Sequence, residues 1–165
     1  MNIFALVLDP EECAKHHCDK HVVKMILETA QILCAVHYIT ESPHVPPYKK
    51  THSKHPCVLW TAESLDNYLW LVALGKALAA EYVFRYSTEA KPKSHKSLQV
   101  IEWAEANLPP LEAKGITERP QAMPDHYRVE GDPVSAYRAY YMGEKADLLT
   151  YTRREVPDWL KIFVE

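Results

Sequence analysis

The chain has 165 residues, 47% of them apolar and 25% charged, which is enough apolar material for the core of one domain and excludes a disordered chain. Its net charge of -3 excludes the strongly basic class of general polyanion binders. No stretch approaches the roughly 18 uninterrupted apolar residues of a membrane span. With 4 glycines against 12 prolines, the composition is typical of helices joined by proline-marked loops.

The N-terminal region predicts an extended segment followed by a long helix. Residues 2–8 alternate weakly in hydropathy, which indicates an extended lead-in or at most one short strand. Asp9 is a predicted N-cap, with Pro10 at the first helical position. No helix breaker follows before about Ile39, so we expect one uninterrupted first helix, buried at the centre of the fold.

The remainder of the chain predicts four further helices separated by two long loops. Proline-containing loops cover residues 42–56 and 111–131, and the predicted helices open at Pro56, run from Leu65 to about Tyr86, and cover about 95–107 and 134–149. We therefore expect an all-α, single-domain helical bundle over residues 1–165. The four cysteines lack the spacing of a secreted disulfide framework, so we expect free thiols and a cytoplasmic location.

Ionisable side chains form a stripe along the first predicted helix. His17, His21, Lys24 and Glu28 follow one another at helical spacing between two apolar faces. The simpler interpretation is a solvent-facing Lys24–Glu28 ion pair, which contributes little to stability. Because apolar faces on both sides leave little room for a solvated seam, we favour an active-site wall that uses these groups for acid–base or nucleophilic work.

A metal site is an alternative use of the same helix. His17 and His21 stand four residues apart, the spacing at which two helical imidazoles bind one ion. This spacing is a weak signal, and the glutamate that follows the first histidine of a metalloprotease helix is replaced by Cys18. We expect no cofactor, with a divalent metal held by His17 and His21 as the alternative.

The first long loop and the helix after it predict a binding surface for nucleotides. Positive charge is concentrated next to Tyr48, and it comes from Lys49, Lys50, His52, Lys54 and His55. Such residues suit a phosphate backbone, although an ordinary solvated loop has the same composition. Trp60 and Asn67 follow on one face and could stack on a base and read its edge; a plain core tryptophan is the alternative for Trp60.

Several motifs resemble a family of small proteins of bacteriophages and some bacteria. The resemblance rests on Met1-Asn2-Ile3-Phe4, on Cys18 to Met25, on His55-Pro56-Cys57 with Trp60, and on Gln121 to Asp125. It covers nearly the whole chain and implies no particular activity; a phage protein would lie in the host cytoplasm.

The chain also resembles the pyrimidine-dimer DNA glycosylases, small helical enzymes that use an N-terminal amine and a glutamate. The shared features are the extended N-terminal segment and a following helix with His16 in its first turns. Those enzymes expose the amine of a small second residue, whereas Asn2 is a poor substrate for removal of Met1. The resemblance implies chemistry on DNA bases, and it assigns no catalytic residue here.

These observations predict an enzyme that acts on a nucleobase, nucleotide or nucleic acid, by N-glycosidic cleavage or base modification. We expect His21, Lys24, Glu28 and His55 to be catalytic, and the substrate to be bound by Lys49, Lys50, His52, Lys54, Trp60 and Asn67. The stripe should meet His52 or His55 and Asn67 around one pocket, because buried polar groups need partners. The alternatives are a non-catalytic phage protein that sequesters a nucleotide or inhibits a host factor, and a metal-dependent hydrolase.

Overall fold

The computed structural model describes residues 1–161, and this part of the chain is all-helical, as predicted. Its six α-helices are α1 (Pro10–His16), α2 (Asp19–Ile39), α3 (Pro56–Thr61), α4 (Leu65–Tyr86), α5 (Ser97–Ala106) and α6 (Pro133–Glu144). Single 3-10 turns lie at Asp125–Tyr127 in the second long loop and at Ala146–Leu148 and Asp158–Leu160 after α6. No strand occurs within residues 1–161, so the N-terminal segment is the extended lead-in.

The helix starts follow the capping residues in the sequence. The side chains of Asp9, Ser64 and Asp132 each accept a hydrogen bond from a backbone N–H in the first turn of α1, α4 and α6. Proline occupies the first turn of α1, α3 and α6, where its missing N–H costs nothing. Local chemistry therefore fixes where most of the helices begin.

The predicted uninterrupted first helix is wrong, because the chain breaks between α1 and α2 at His17 and Cys18. Both residues are extended, with ψ of 137° and 162°. The N–H groups freed by the break have distant partners: Cys18 N donates to the Tyr141 hydroxyl at 3.0 Å, and Asp19 N donates to the Thr150 carbonyl at 2.8 Å. Contacts with the C-terminal part of the chain thus replace the helical hydrogen bonds.

Helices α2 and α4 form the centre of the bundle, with α1, α3 and α5 packed around them. Gly75 lets α4 approach α2 and α5 closely, since a Cβ at this position would lie 2.8 Å from both Ile101 on α5 and Thr29 on α2. By length and composition alone α2 could cross a membrane, but 67% of its apolar window is buried inside the structure, as expected for the central helix of a bundle.

The N-terminal segment is buried although it has no neighbouring strand. Ile3, Phe4, Ala5 and Leu6 are all at most 5% exposed. Side chains supply the partners that a strand would have provided: Arg138 donates to the Leu6 carbonyl and Trp70 to the Leu8 carbonyl, each at 2.9 Å. The segment is therefore held in one position against α4 and α6.

Candidate active site

A small cavity lies where the N-terminus meets α2. The α-amine of Met1 is 3.1 Å from Glu28 Oε1. The cavity has a volume of about 130 Å³ and is also lined by Asn2, Phe4, His21, Lys24, Met25, Tyr140 and Lys145. The Met1 side chain is only 1% exposed while the residue as a whole is half-buried. The accessible part of Met1 is thus its main chain, which carries the amine.

Asn2 fixes the position of the amine. Its Oδ1 accepts hydrogen bonds from the Tyr137 hydroxyl at 2.7 Å and from the Ile3 N–H at 2.8 Å. Its Nδ2 donates to the carbonyl of Ala122 at 2.9 Å. The Tyr137 hydroxyl is held in turn, because it accepts a hydrogen bond from Ala122 N. Both polar atoms of the Asn2 side chain, Oδ1 and Nδ2, are therefore hydrogen-bonded.

Positive charge surrounds the single carboxylate in the cavity lining. Lys24 Nζ lies 3.8 Å from Glu28 Oε2, and Lys145 is a further lining residue. The Lys24 side chain is 65% exposed, whereas that of Glu28 is 10% exposed. Because Lys24 reaches into solvent, its charge faces whatever approaches the cavity.

His21 contributes a neutral ring to the cavity. Its Nδ1 lies 2.8 Å from the Tyr141 hydroxyl, and its ring stacks on Phe4 with centroids 4.5 Å apart. Burial, followed by the positive charges around it, lowers the pKa of His21 to about 3. At neutral pH the ring is therefore uncharged, so it offers hydrogen bonds but no positive charge.

His55 reaches the same region from the start of α3. Its Nδ1 caps that helix by accepting from Cys57 N at 3.0 Å. Burial, followed by the charge of the Met1 amine, lowers the pKa of His55, while the Met1 main chain acts in the opposite direction. The structure thus brings His21, Lys24 and Glu28 into one cavity and places His55 beside its amine.

Trp60 and Asn67 do not reach the cavity, so the predicted pocket that includes Asn67 is not formed. Trp60 is 2% exposed and donates to the Thr117 carbonyl at 3.2 Å. Asn67 is fully buried, and its amide joins the Trp60 carbonyl to Thr117. Both residues hold the second loop against α3 and α4, which is a structural role.

The predicted phosphate-binding residues of the first loop are at the surface. Lys49, Lys50, His52 and Lys54 are all exposed. His52 has a φ of 49° and its Nδ1 lies 2.7 Å from the Thr51 hydroxyl. These residues precede His55, so they remain candidates for contacts outside the cavity, and a role for them in substrate binding stays a prediction.

His17 and His21 do not act as the helical pair that the metal alternative requires. The break places His17 after α1, where its Nδ1 lies 2.7 Å from the Cys13 carbonyl. His17 is fully buried, and burial lowers its pKa to about 4. Within residues 1–161, no group of three or more His, Cys, Asp and Glu side chains is arranged to hold a metal ion.

The sequence analysis did not assign six of the residues that line the cavity, namely Met1, Asn2, Phe4, Met25, Tyr140 and Lys145. The Met1-Asn2 pair was the one local signal, because asparagine is a poor second residue for removal of Met1. Tyr140 and Lys145 come from the end of α6, and only the tertiary structure joins them to α2.

Comparison with known proteins gives one family. The sequence-family model described as pyrimidine dimer DNA glycosylase matches residues 1–93 of the chain. This range contains Met1, Asn2, His21, Lys24, Glu28 and His55. No curated protein and no solved structure gave a significant match to the chain.

Proposed function

Since the chain belongs to the pyrimidine dimer DNA glycosylase family, whose activity is the processing of DNA, we propose that it cleaves the N-glycosidic bond of a damaged pyrimidine with the Met1 amine as nucleophile. The observation that carries this proposal is the 3.1 Å contact between that amine and Glu28 at an open cavity. A nucleophile and its base within hydrogen-bond reach are the signature of covalent catalysis.

The chemistry follows from these two groups. Glu28 accepts a proton from the amine, and the nitrogen then attacks C1′ of the damaged nucleotide. The bond from C1′ to the base breaks, and the base leaves with the electron pair and takes up a proton. The nitrogen then gives a second proton to Glu28, and its lone pair forms the C1′=N bond as the C1′–O4′ bond breaks and O4′ takes up that proton. The product is a protonated imine, whose positive charge the ionised Glu28 stabilises. Water then releases the sugar aldehyde and restores the amine.

Lys24 is the competing nucleophile, because its amine also faces Glu28. Its distance of 3.8 Å is longer, and its side chain is 65% exposed. A flexible lysine loses more conformational freedom when it is aligned for attack, whereas the Met1 amine is already positioned through Asn2. We assign Lys24 to the phosphate group and Met1 to the attack.

His21 and His55 support this arrangement. The neutral ring of His21 offers a hydrogen bond to the substrate without adding to the positive charge of the cavity. His55 lies beside the Met1 main chain and its amine. The proposed reaction uses no metal or cofactor, so excision should be unchanged by EDTA.

The test uses a duplex oligonucleotide with one thymine dimer and the Glu28→Gln variant. The variant should bind the duplex like the original protein and lose excision by about 10²–10⁴-fold, the usual contribution of a positioned acid–base group. Glu12→Gln is the matched control, because Glu12 is exposed on α1 and outside the cavity. Full excision by Glu28→Gln would overturn the proposal, and a loss of affinity alone would favour a sequestering protein.

A further inference from the structure

Helix α4 is apolar on the side that it turns to solvent. Its large side chains there are 39% exposed at Leu69, 42% at Val83 and 44% at Phe84. A helix face that stays in water is normally polar, whereas contiguous exposed apolar surface marks a contact site. Five of the six exposed positions of α4 are apolar, and the six residues, which we call the α4 face, are Leu69, Ala73, Lys76, Ala80, Val83 and Phe84.

The spacing along the α4 face indicates another helix as its partner. From Leu69 to Val83, the exposed residues follow one another at intervals of four, three, four and three positions. This spacing, about 3.5 on average, is the heptad repeat through which two helices pack along one seam. Ala73 and Ala80 alternate with the larger side chains, so a partner helix comes close at these two points. The seam covers about 21 Å of helix.

The two ends of the α4 face carry opposite charge. At the start of α4, Trp70 donates to the Leu8 carbonyl at 2.9 Å, which places the start of α1 with the exposed Glu11 at this end. At the other end, Arg153 donates to the Phe84 carbonyl at 3.0 Å. The ion pairs within residues 1–161 include neither Glu11 nor Arg153, so both charges are available to a partner.

A second copy of the chain satisfies both the apolar seam and the charges. When two α4 faces pair antiparallel about a two-fold axis, the acidic end of each lies against the basic end of the other. Glu11 of one copy then faces Arg153 of the second, whereas parallel pairing would bring like charges together. The axis passes close to Lys76, whose Nζ lies 3.0 Å from Glu105 Oε1. Two such ion pairs therefore meet at the centre of the seam and can exchange partners.

We infer that the α4 face is the interface of an antiparallel homodimer. The groove beside this face, with a volume of about 640 Å³, and the Met1 cavity have no lining residue in common within residues 1–161, so each copy keeps its cavity open. One helix face with its flanking charges is small for a specific interface, and we expect a dissociation constant in the micromolar range.

The first test is analytical ultracentrifugation of the whole chain over a series of concentrations. The original protein should reach twice the mass of one chain. Val83→Glu should remain monomeric at the concentrations where the original protein dimerises, because the new carboxylate lies in the seam and faces the acidic end of the second copy. Leu27→Glu is the matched control, since Leu27 is 39% exposed on α2 and lies outside the groove; it should dimerise like the original protein.

The second test reverses one charge at each end of the α4 face. Glu11→Lys and Arg153→Glu should each weaken dimerisation by about tenfold, because each homodimer then has two contacts between like charges. An equal mixture of the two variants should dimerise like the original protein, since the mixed dimer has opposite charges at both contacts. Recovery in the mixture also shows that both variants are folded.

Three results would overturn the inference. The first is an original protein that stays monomeric well above micromolar concentration, and the second is a Val83→Glu variant that dimerises unchanged. The third is a mixture of Glu11→Lys and Arg153→Glu that dimerises no better than either variant alone. These measurements of mass do not depend on the proposed function, which fails separately if no covalent intermediate forms at Met1.

Discussion

The hydroxyl of Tyr137 donates a 2.7 Å hydrogen bond to Oδ1 of Asn2, across 135 positions of the sequence. Both residues are buried. Through this bond α6 holds Asn2 in place. Asn2 follows Met1, whose amine contacts Glu28. The geometry of the candidate active site thus depends on a helix outside the part of the chain that matches the family.

Replacement of Tyr137 by Phe should therefore destabilise the protein and misplace the amine. The change leaves the Ala122 N–H without its partner and removes one of the donors to Asn2, so we expect a loss of about 1–3 kcal/mol in the free energy of unfolding. Denaturant unfolding measures this loss. Tyr82→Phe is the control, since Tyr82 is half-buried and outside this network. An unchanged free energy would show that Asn2 is not held in this way.

Replacement of Gly75 by Ala should destabilise the packing of α4 on α2 and α5. The new methyl group would lie 2.8 Å from Ile101 Cδ1 and from Thr29 Cγ2. Overpacking costs about 1–3 kcal/mol, which exceeds the roughly 0.5–1 kcal/mol that alanine gains over glycine in a helix. Thermal unfolding should show a lower midpoint than for Ala73→Ser on the exposed face of α4. A higher midpoint for Gly75→Ala would contradict the close approach.

Stability should fall as the pH decreases from about 6.5 to about 4. Burial lowers the pKa of both His17 and His37 to about 4, against 6.5 in an unfolded chain. The unfolded state therefore binds protons that the folded state does not, and stability is complete above pH 6.5. Each histidine contributes a slope of up to about 1.4 kcal/mol per pH unit within this window.

Chemical denaturation at several pH values measures that slope. His17→Leu should flatten it, whereas His126→Gln, at an exposed histidine, should leave it unchanged. Glu81, whose pKa is lowered by its arginine partners although its burial acts in the opposite direction, adds to the loss only below about pH 4.5. A stability that is constant between pH 6.5 and 4.5 would contradict neutral buried histidines.

Local patterns predicted the helices well but not the break between α1 and α2. Capping residues such as Asp9 and Ser64 act within one turn, so the sequence alone indicates them. The break at His17 and Cys18 depends on Tyr141, more than 100 residues away. No local pattern carries that information, because a tertiary contact outweighs helix propensity there.

The part of the candidate site that lies on a single helix was predictable, because it also depends on a local pattern. His21, Lys24 and Glu28 share one side of α2, so helical periodicity was enough to group them. Trp60 and Asn67 were expected on one face, but they stand on two helices, α3 and α4, and Thr117 from the second loop contacts both and makes them part of the core. Helical periodicity shows which residues share a face of a helix, but it does not show which face another segment of the chain will cover.

A control for the nucleophile follows from the position of the N-terminus. One glycine added before Met1 moves the amine by about 3.8 Å, which should abolish excision of a thymine dimer. Lys24→Arg keeps the positive charge while removing the primary amine, and it should retain covalent trapping. The opposite pattern, loss with Lys24→Arg and retention with the added glycine, would assign the attack to Lys24.

The most direct measurement is borohydride reduction of the protein during its reaction with dimer-containing DNA, followed by digestion and mass spectrometry. Reduction converts the imine between protein and sugar into a stable bond, so the modified peptide identifies the nucleophile. The account predicts a single adduct on the α-amine of Met1, absent with undamaged DNA. An adduct on the ε-amine of Lys24, or excision without any adduct, would contradict it.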